Sequence, residues 1–320
     1  MLDTQDRPAS QDKVATLSLR QLSDDPDAFA REFGASFSSY GFAAITDHGL
    51  DPELVARGWA MTKAYFALPE SVKREHALAG KAGARGYTPF GVEIAKDAVQ
   101  HDLKEFFHVG RDLPPGHPLR SSMPDNVWPE QPEGFRETMQ ALYAAFDAVG
   151  AKLLSAIARY LKLAPDWFDE PVGLGNSVLR LLHYPPVTGD APGVRAGAHE
   201  DINLITLLLG AEEAGLEILR PDGTWLGIAP PPDALVVNVG DMLQRLTNHV
   251  LPSTTHRVCN PAAERRAHSR YSMPFFVHLR SDHEIRTLPG CIGSEGNRYP
   301  EPILADDYLG QRLREIGLLK

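Results

Sequence analysis

Cysteine is nearly absent: Cys259 and Cys291 are the only two in 320 residues. Two cysteines cannot build a disulfide framework or an all-cysteine zinc site, and so few suit a reducing cytoplasm. Basic charge is also in deficit, with 32 Lys and Arg against 42 Asp and Glu and a net of −10. A chain this acidic is a poor partner for nucleic acid or an anionic membrane surface. Long apolar runs are missing as well. The most apolar stretch, residues 204–209, has strand length and is interrupted by Thr206, far short of the roughly 20 residues that span a bilayer. The opening MLDTQDRPASQDK lacks the apolar core of a secretory signal. No internal repeat, phosphate-binding loop, dinucleotide fingerprint, nucleophile elbow or CxxC pair is present. The expectation is a cytoplasmic protein acting on a small molecule, without nucleic-acid or membrane partners, its oligomeric state left open.

What is present divides the chain into four stretches, 1–132, 133–171, 172–285 and 286–320. In the first, Phe29, Phe33 and Phe37 recur every fourth residue and predict a helix from Pro26 to Tyr40. A strand over 42–46 follows, then a helix over 51–68 opened by Asp-Pro-Glu. Residues 80–91 are glycine-rich and read as a loop. Six prolines between 114 and 132 argue against regular structure there. The second stretch is one scaffold helix, with Phe135, Met139, Leu142, Phe146, Val149, Leu153, Ile157 and Leu161 at three- and four-residue spacing. From about residue 177 the period shortens. Strands are predicted at 178–184, 202–209, 215–219, 224–228, 235–239, 243–247, 255–259 and 271–279, with an Asp222-Gly223 hairpin turn. That many short strands predict a mostly β fold, a double-sheet jelly roll with flanking helices. Residues 303–320 read as a final outer helix.

Among twelve histidines, His199 stands apart because Asp201 follows two residues later at the mouth of a predicted strand. Alternation along a strand would turn both side chains to one face, about 7 Å apart, and Glu200 to the other. His256, in a later predicted strand with 54 residues between it and Asp201, completes a set of two histidines and one carboxylate. That set occupies one face of an octahedron and suits non-haem Fe(II) oxygen chemistry. Arg270 and Ser272, again two apart on a strand, offer a guanidinium fork and a hydroxyl to a carboxylate. Tyr184 could add a second hydroxyl. His48, Asn203, Glu105, Phe106, Phe107 and Asp241 read as structural.

The pattern extends beyond these residues. The N-terminal half holds Ser39-Tyr-Gly-Phe-Ala-Ala-Ile-Thr-Asp-His-Gly-Leu50, Phe66-Ala-Leu-Pro69, Arg85-Gly-Tyr87, Lys104-Glu-Phe-Phe107 and Asn126-Val-Trp-Pro129. The C-terminal half holds His199-Glu-Asp-Ile-Asn-Leu-Ile-Thr206, Asn238-Val-Gly-Asp241, Thr247-Asn248, His256-Arg-Val258 and Arg270-Tyr-Ser272. In that order, over about residues 14–285, they resemble the isopenicillin N synthase-like branch of the iron(II)/2-oxoglutarate-dependent dioxygenases. The resemblance implies a distorted double-stranded β-helix core with a helical N-terminal region. It implies His199, Asp201 and His256 as Fe(II) ligands, and Arg270 with Ser272 and Tyr184 holding the distal carboxylate of 2-oxoglutarate. Leu182 stands where the family's Asn-Tyr-Tyr-Pro segment has asparagine, and residues 261–268 look like a small turn insertion. Arg270 is preferred to Arg266 because it keeps the serine two residues on.

The reaction so implied consumes O2 and 2-oxoglutarate, releases succinate and CO2, and oxidises a small organic substrate, by hydroxylation in the first instance. Oxidases of the isopenicillin N synthase or aminocyclopropane-carboxylate type share the Arg-Ser pair without using 2-oxoglutarate, so the pair alone leaves the co-substrate open. A metal-binding β-helix protein without turnover is the remaining alternative, and the presence of all three ligands speaks against it.

Overall fold

The computed structural model describes residues 13–78, 83–91, 104–186, 196–209, 215–259 and 267–315. Its first half runs β1 (Thr16–Ser18), α1 (Gln21–Asp24), α2 (Pro26–Tyr40), β2 (Phe42–Thr46), α3 (Pro52–Phe66), α4 (Glu70–Glu75), β3 (Gly86–Thr88), β4 (Glu105–Gly110) and the long α5 (Phe135–Tyr160). There follow α6 (Asp169–Gly173), β5 (Val178–Tyr184), β6 (Ala196–His199), β7 (Ile205–Leu209), β8 (Leu216–Leu219), β9 (Trp225–Gly227) and β10 (Leu235–Val239). The chain closes with α7 (Asp241–Leu246), β11 (His256–Val258), β12 (Arg270–Val277), β13 (Glu284–Ile285), β14 (Ile303–Leu304) and α8 (Ala305–Glu315).

Local chemistry sets the helix ends. Asp25 caps α2 by accepting from Ala28 N, and Asp51 caps α3 by accepting from Glu53 N. Each helix then begins with a proline, whose missing N–H has no helical partner to lose. Gly41 ends α2 in the left-handed region at φ 67°, and a Cβ there would meet the Pro252 carbonyl oxygen at 2.6 Å. Only glycine fits.

Eight strands form the main sheet in the order β1-β2-β10-β7-β12-β5-β4-β3, and β6-β11-β8-β9 form a second. The first half of the chain thus supplies four strands of the main sheet, of which β3 and β4 were not among the strands predicted from the sequence. Together the two sheets make the double-stranded β-helix, with helices on the outside of the larger one.

The main sheet has two distinct faces because strand side chains alternate. Ala43, Ile45, Phe107, Val109, Leu179, Leu181, Ile205, Leu207, Leu235, Val237, Met273 and Phe275 belong to one large apolar core. Phe275 of this face meets Tyr143 and Phe146 of α5, at ring-centroid distances of 5.0 and 5.5 Å. By length and composition α5 could cross a membrane, yet its apolar stripe is spent against this sheet and against α2 and α3. The opposite face carries Phe42, Phe106, His108, Arg180, Leu182, Tyr184, Thr206, Asn238, Arg270, Ser272 and Phe276. Cross-strand pairs put Arg270 beside Tyr184, Ser272 beside Leu182, His108 beside Arg180 and Phe276 beside Thr206. One face stabilises; the other holds the polar residues.

Several expectations need correction. Residues 243–247 are not a strand: α7 occupies Asp241–Leu246 and buries Met242, Leu243 and Leu246. Such a short apolar run carries no period that separates helix from strand. The strand predicted from 202 starts at Ile205, and a separate β6 ends at His199. Within the glycine-rich 80–91, Gly86–Thr88 pairs with β4, while residues 79–82 lie outside the described ones. Residues 114–132 hold only a 3-10 turn at Pro118–Ser121, as their prolines predict. The final helix spans Ala305–Glu315 of the predicted 303–320, and 316–320 lie outside the described residues.

Candidate active site

His199 is the last residue of β6 and His256 the first of β11, and the two face each other in antiparallel register. Their ring centroids are 4.4 Å apart. Asp201 lies just past the end of β6, so alternation along one strand is not what aligns it with His199. The turn does that, with Asp241 N donating to the Asp201 carbonyl at 2.7 Å. One carboxylate oxygen of Asp201 is 3.9 Å from His199 Nε2, and the other is 4.0 Å from His256 Nε2. One ligand atom from each residue lies within 4.8 Å of the others. Glu200 points elsewhere and accepts from Thr255 Oγ1.

Each imidazole is oriented by its own chain. His199 Nδ1 donates to the Gly197 carbonyl at 2.7 Å, and His256 Nδ1 to that of Thr254 at 3.1 Å. With the proton on Nδ1, the Nε2 lone pair is left for a metal. Partial withdrawal from water, reinforced by the neighbouring His256, pushes the His199 imidazole below its usual value. Burial favours the neutral acid of Asp201, but His256, His199 and hydrogen bonds from Asn238 and Thr206 outweigh it and hold the carboxyl below its usual range. Two imidazoles, each with Nδ1 committed to a carbonyl, and one carboxylate result. This donor set, with its second nitrogens anchored, fits Fe(II).

Asp201 is itself held. Its Oδ2 accepts from Thr206 Oγ1 at 2.6 Å and from Asn238 Nδ2 at 2.8 Å. Asn203 Nδ2 in turn donates to Thr206 Oγ1 at 3.2 Å and to the Ile205 carbonyl at 2.6 Å. Sequence reading gave Asn203 a structural part, which it has, but missed Thr206 and Asn238 as partners of the carboxylate. Their positions on the site-facing side of β7 and β10 were the available signal.

Arg270, Ser272 and Tyr184 also come together. All three are buried on the site face, and the Arg270 guanidinium carbon lies 5.0 Å from the Tyr184 ring centroid. Phe106, Leu182 and Tyr184 form a small apolar cluster beside them. Leu182, at the family's asparagine position, therefore contributes apolar wall. Arg266 lies outside the described residues.

Other residues take the structural parts expected of them. His48 joins the Asp233 carbonyl through Nε2 at 2.8 Å and accepts from Leu50 N. Glu105, on the core face, is buried among cations and donors: Lys73 Nζ at 2.8 Å, His183 Nδ1 at 2.7 Å and the Tyr87 hydroxyl. Asp241 pairs with Arg312 of α8 at 2.8 Å and ties that helix to α7.

Comparison with known proteins agrees with this geometry. Residues 14–131 match the family of the non-haem dioxygenase in morphine synthesis N-terminal region, and residues 175–279 match the 2OG-Fe(II) oxygenase superfamily. A 2-oxoglutarate-dependent dioxygenase of Didymella fabae is 34% identical over 290 residues, covering 86% of each chain. The crystal structure of a 2OG-Fe(II) oxygenase family protein from Caulobacter crescentus superposes with a TM-score of 0.89 at 56% identity, covering 95% of this chain and 99% of that one. A full-length Neurospora crassa protein, solved in complex with alpha-KG and thymine, gives 0.84 at 28% identity, with 96% and 98% covered. The chain belongs to the 2OG-Fe(II) oxygenase superfamily. It is an oxidoreductase, a 2-oxoglutarate-dependent dioxygenase using Fe(II) and O2.

Proposed function

We propose that His199, Asp201 and His256 hold the Fe(II), and that Arg270, Ser272 and Tyr184 hold the distal carboxylate of 2-oxoglutarate while a small organic substrate is hydroxylated. The observation that carries this is the convergence of the three ligand atoms with both Nδ1 atoms already committed to carbonyls. Bound Fe(II) supplies the site for O2 activation coupled to loss of CO2 from 2-oxoglutarate. The protein's own part is placement. The Gly197 and Thr254 carbonyls fix the imidazole tautomers, and Thr206 and Asn238 fix the roll of the Asp201 carboxylate. Arg270 presents a planar fork that matches a carboxylate, and Phe106, Leu182 and Tyr184 keep water from that ion pair, which strengthens it. A cytoplasmic setting accords with the scarce cysteine.

The test is direct. His199→Ala, Asp201→Ala and His256→Ala should each lose most bound Fe(II) in anaerobic titration while far-ultraviolet circular dichroism stays unchanged. A variant that keeps full occupancy removes its residue from the ligand set. Wild-type protein should release succinate as O2 is consumed; O2 uptake without succinate would favour the oxidase alternative.

A further inference from the structure

The first turn of α7 clasps the turn that carries Asp201. Gly240 N donates to the Leu204 carbonyl at 2.8 Å and Asp241 N to that of Asp201 at 2.7 Å. Met242 N reaches the carbonyls of Ile202 and Asn203, at 3.2 and 3.1 Å. These are amides that a helix leaves without an intrahelical partner. Here the turn between β6 and β7 supplies their acceptors. Where α7 stands, the Asp201 backbone follows.

α7 is held in turn from the C-terminal end of the chain. The Asp241 side chain, 2% exposed, meets Arg312 of α8 at 2.8 Å, its one ion-pair partner among the described residues. The other arm of that guanidinium meets Glu315 Oε2 at 2.6 Å, so the group is fixed at both ends. α8 is anchored independently at its start, where Ala305 N and Asp306 N donate to the carbonyls of His283 and Ser281, at 2.9 and 3.0 Å. A carboxylate so buried is costly without its cation. Loss of Arg312 is relieved by moving the first turn of α7 towards water, and the turn bearing Asp201 moves with it.

We propose that Arg312 is a positioning residue for the metal centre: through Asp241 and the first turn of α7 it holds the Asp201 backbone, so that docking of α8 and binding of Fe(II) favour each other. The inference rests on the reading of His199, Asp201 and His256 as the Fe(II) ligands. Linkage makes it reciprocal. By whatever factor undocking of the helix weakens the metal, the metal suppresses undocking.

The test uses the full chain, with anaerobic Fe(II) titration and amide hydrogen exchange of α8 with and without saturating Fe(II). Arg312→Gln should raise the Fe(II) dissociation constant about threefold to thirtyfold, the range for residues that act on a site through their neighbours. Arg312→Lys should restore most of the affinity, because an ammonium suffices for a single contact to Asp241. Asp241→Asn combined with Arg312→Gln should be no weaker than the worse single variant, as two residues acting as one pair require. In wild type, Fe(II) should slow exchange of the α8 amides by a similar factor, and in Arg312→Gln that slowing should vanish. A purely structural ion pair would lower stability to urea while Fe(II) affinity and the metal-dependent exchange stayed as in wild type, and that result overturns the proposal. So does wild-type α8 exchange that ignores Fe(II), a measurement that decides alone if Arg312→Gln fails to fold. Wild type binding no Fe(II), or His199→Ala binding it undiminished, strikes the ligand assignment itself and this coupling with it.

Discussion

Asn238 donates its side-chain amide to Oδ2 of Asp201 at 2.8 Å, across from the strand that supplies Thr206 to the same oxygen. Oδ2, which lies nearer His256, thereby takes two hydrogen bonds, while Oδ1 lies nearer His199. Removing this support should loosen the metal without removing a ligand. Asn238→Leu, or Thr206→Val, should weaken Fe(II) binding about tenfold to a hundredfold, the usual cost of losing a partner behind a ligand. Anaerobic metal titration followed by dialysis measures it, and wild-type affinity in both variants would contradict this role.

Arg270 should be indispensable to the co-substrate. Arg270→Ala should raise the 2-oxoglutarate dissociation constant about tenfold to several hundredfold, from charge-assisted hydrogen bonds of roughly 1.5–3 kcal/mol each. Arg270→Lys should recover only part, because an ammonium cannot present a planar fork. Isothermal titration of the anaerobic metal-loaded protein reads this directly. If Arg266→Ala proves the damaging change, the co-substrate arginine lies four residues earlier.

Glu105 predicts an acid-dependent stability term. Burial opposes its charge, but hydrogen bonds from His183, Lys73 and Tyr87 outweigh this and leave its pKa below the usual carboxylate value. A depressed folded pKa stabilises fully above the unfolded value, about 4.3, and that share is lost as pH falls through the folded one. At pH 7, Glu105→Gln leaves the buried Lys73 ammonium without its carboxylate and should cost roughly 3–5 kcal/mol. Towards pH 3 the gap to wild type should close. Urea unfolding across that range checks it; a gap that stays constant would show that the charge is not responsible.

Gly240 is constrained by proximity alone. A Cβ there would sit 2.2 Å from the Asn203 carbonyl oxygen, beside the turn where Asp241 N holds the Asp201 carbonyl. Gly240→Ala should destabilise by roughly 1–3 kcal/mol, as overpacking does, and should weaken Fe(II) binding as well. Thermal unfolding with and without metal separates the two effects.

The grouping of His199, Asp201 and His256, the placing of Arg270 and Ser272 on one strand face, the long helix and most strands were legible in the sequence. Each rests on residues a few positions apart, or on a strong period such as Phe135 to Leu161. The rest depends on contacts between distant segments. The pairing of His256 with His199, the carboxylate support from Asn238, and the packing of the Arg180 guanidinium against Phe106 and Phe276 are set by strand order, which no local spacing encodes. Residues 243–247 misread because a short apolar run is compatible with either element, and the docked α8 with its Arg312–Asp241 ion pair favours the helix only in the folded chain.

The two-faced main sheet also limits how the protein can vary in length. In β5, Arg180, Leu182 and Tyr184 face the site while Leu179, Leu181 and His183 face the helices. Deleting a single residue within that strand would exchange the two sets, driving a guanidinium into the apolar core and a leucine into its place. Substitutions at the site-facing positions can retune chemistry at small structural cost, whereas an indel of one residue inside β5 or β12 acts as a frameshift in space. Length variation among homologous chains should therefore fall between these strands, where it leaves the parity of each one intact.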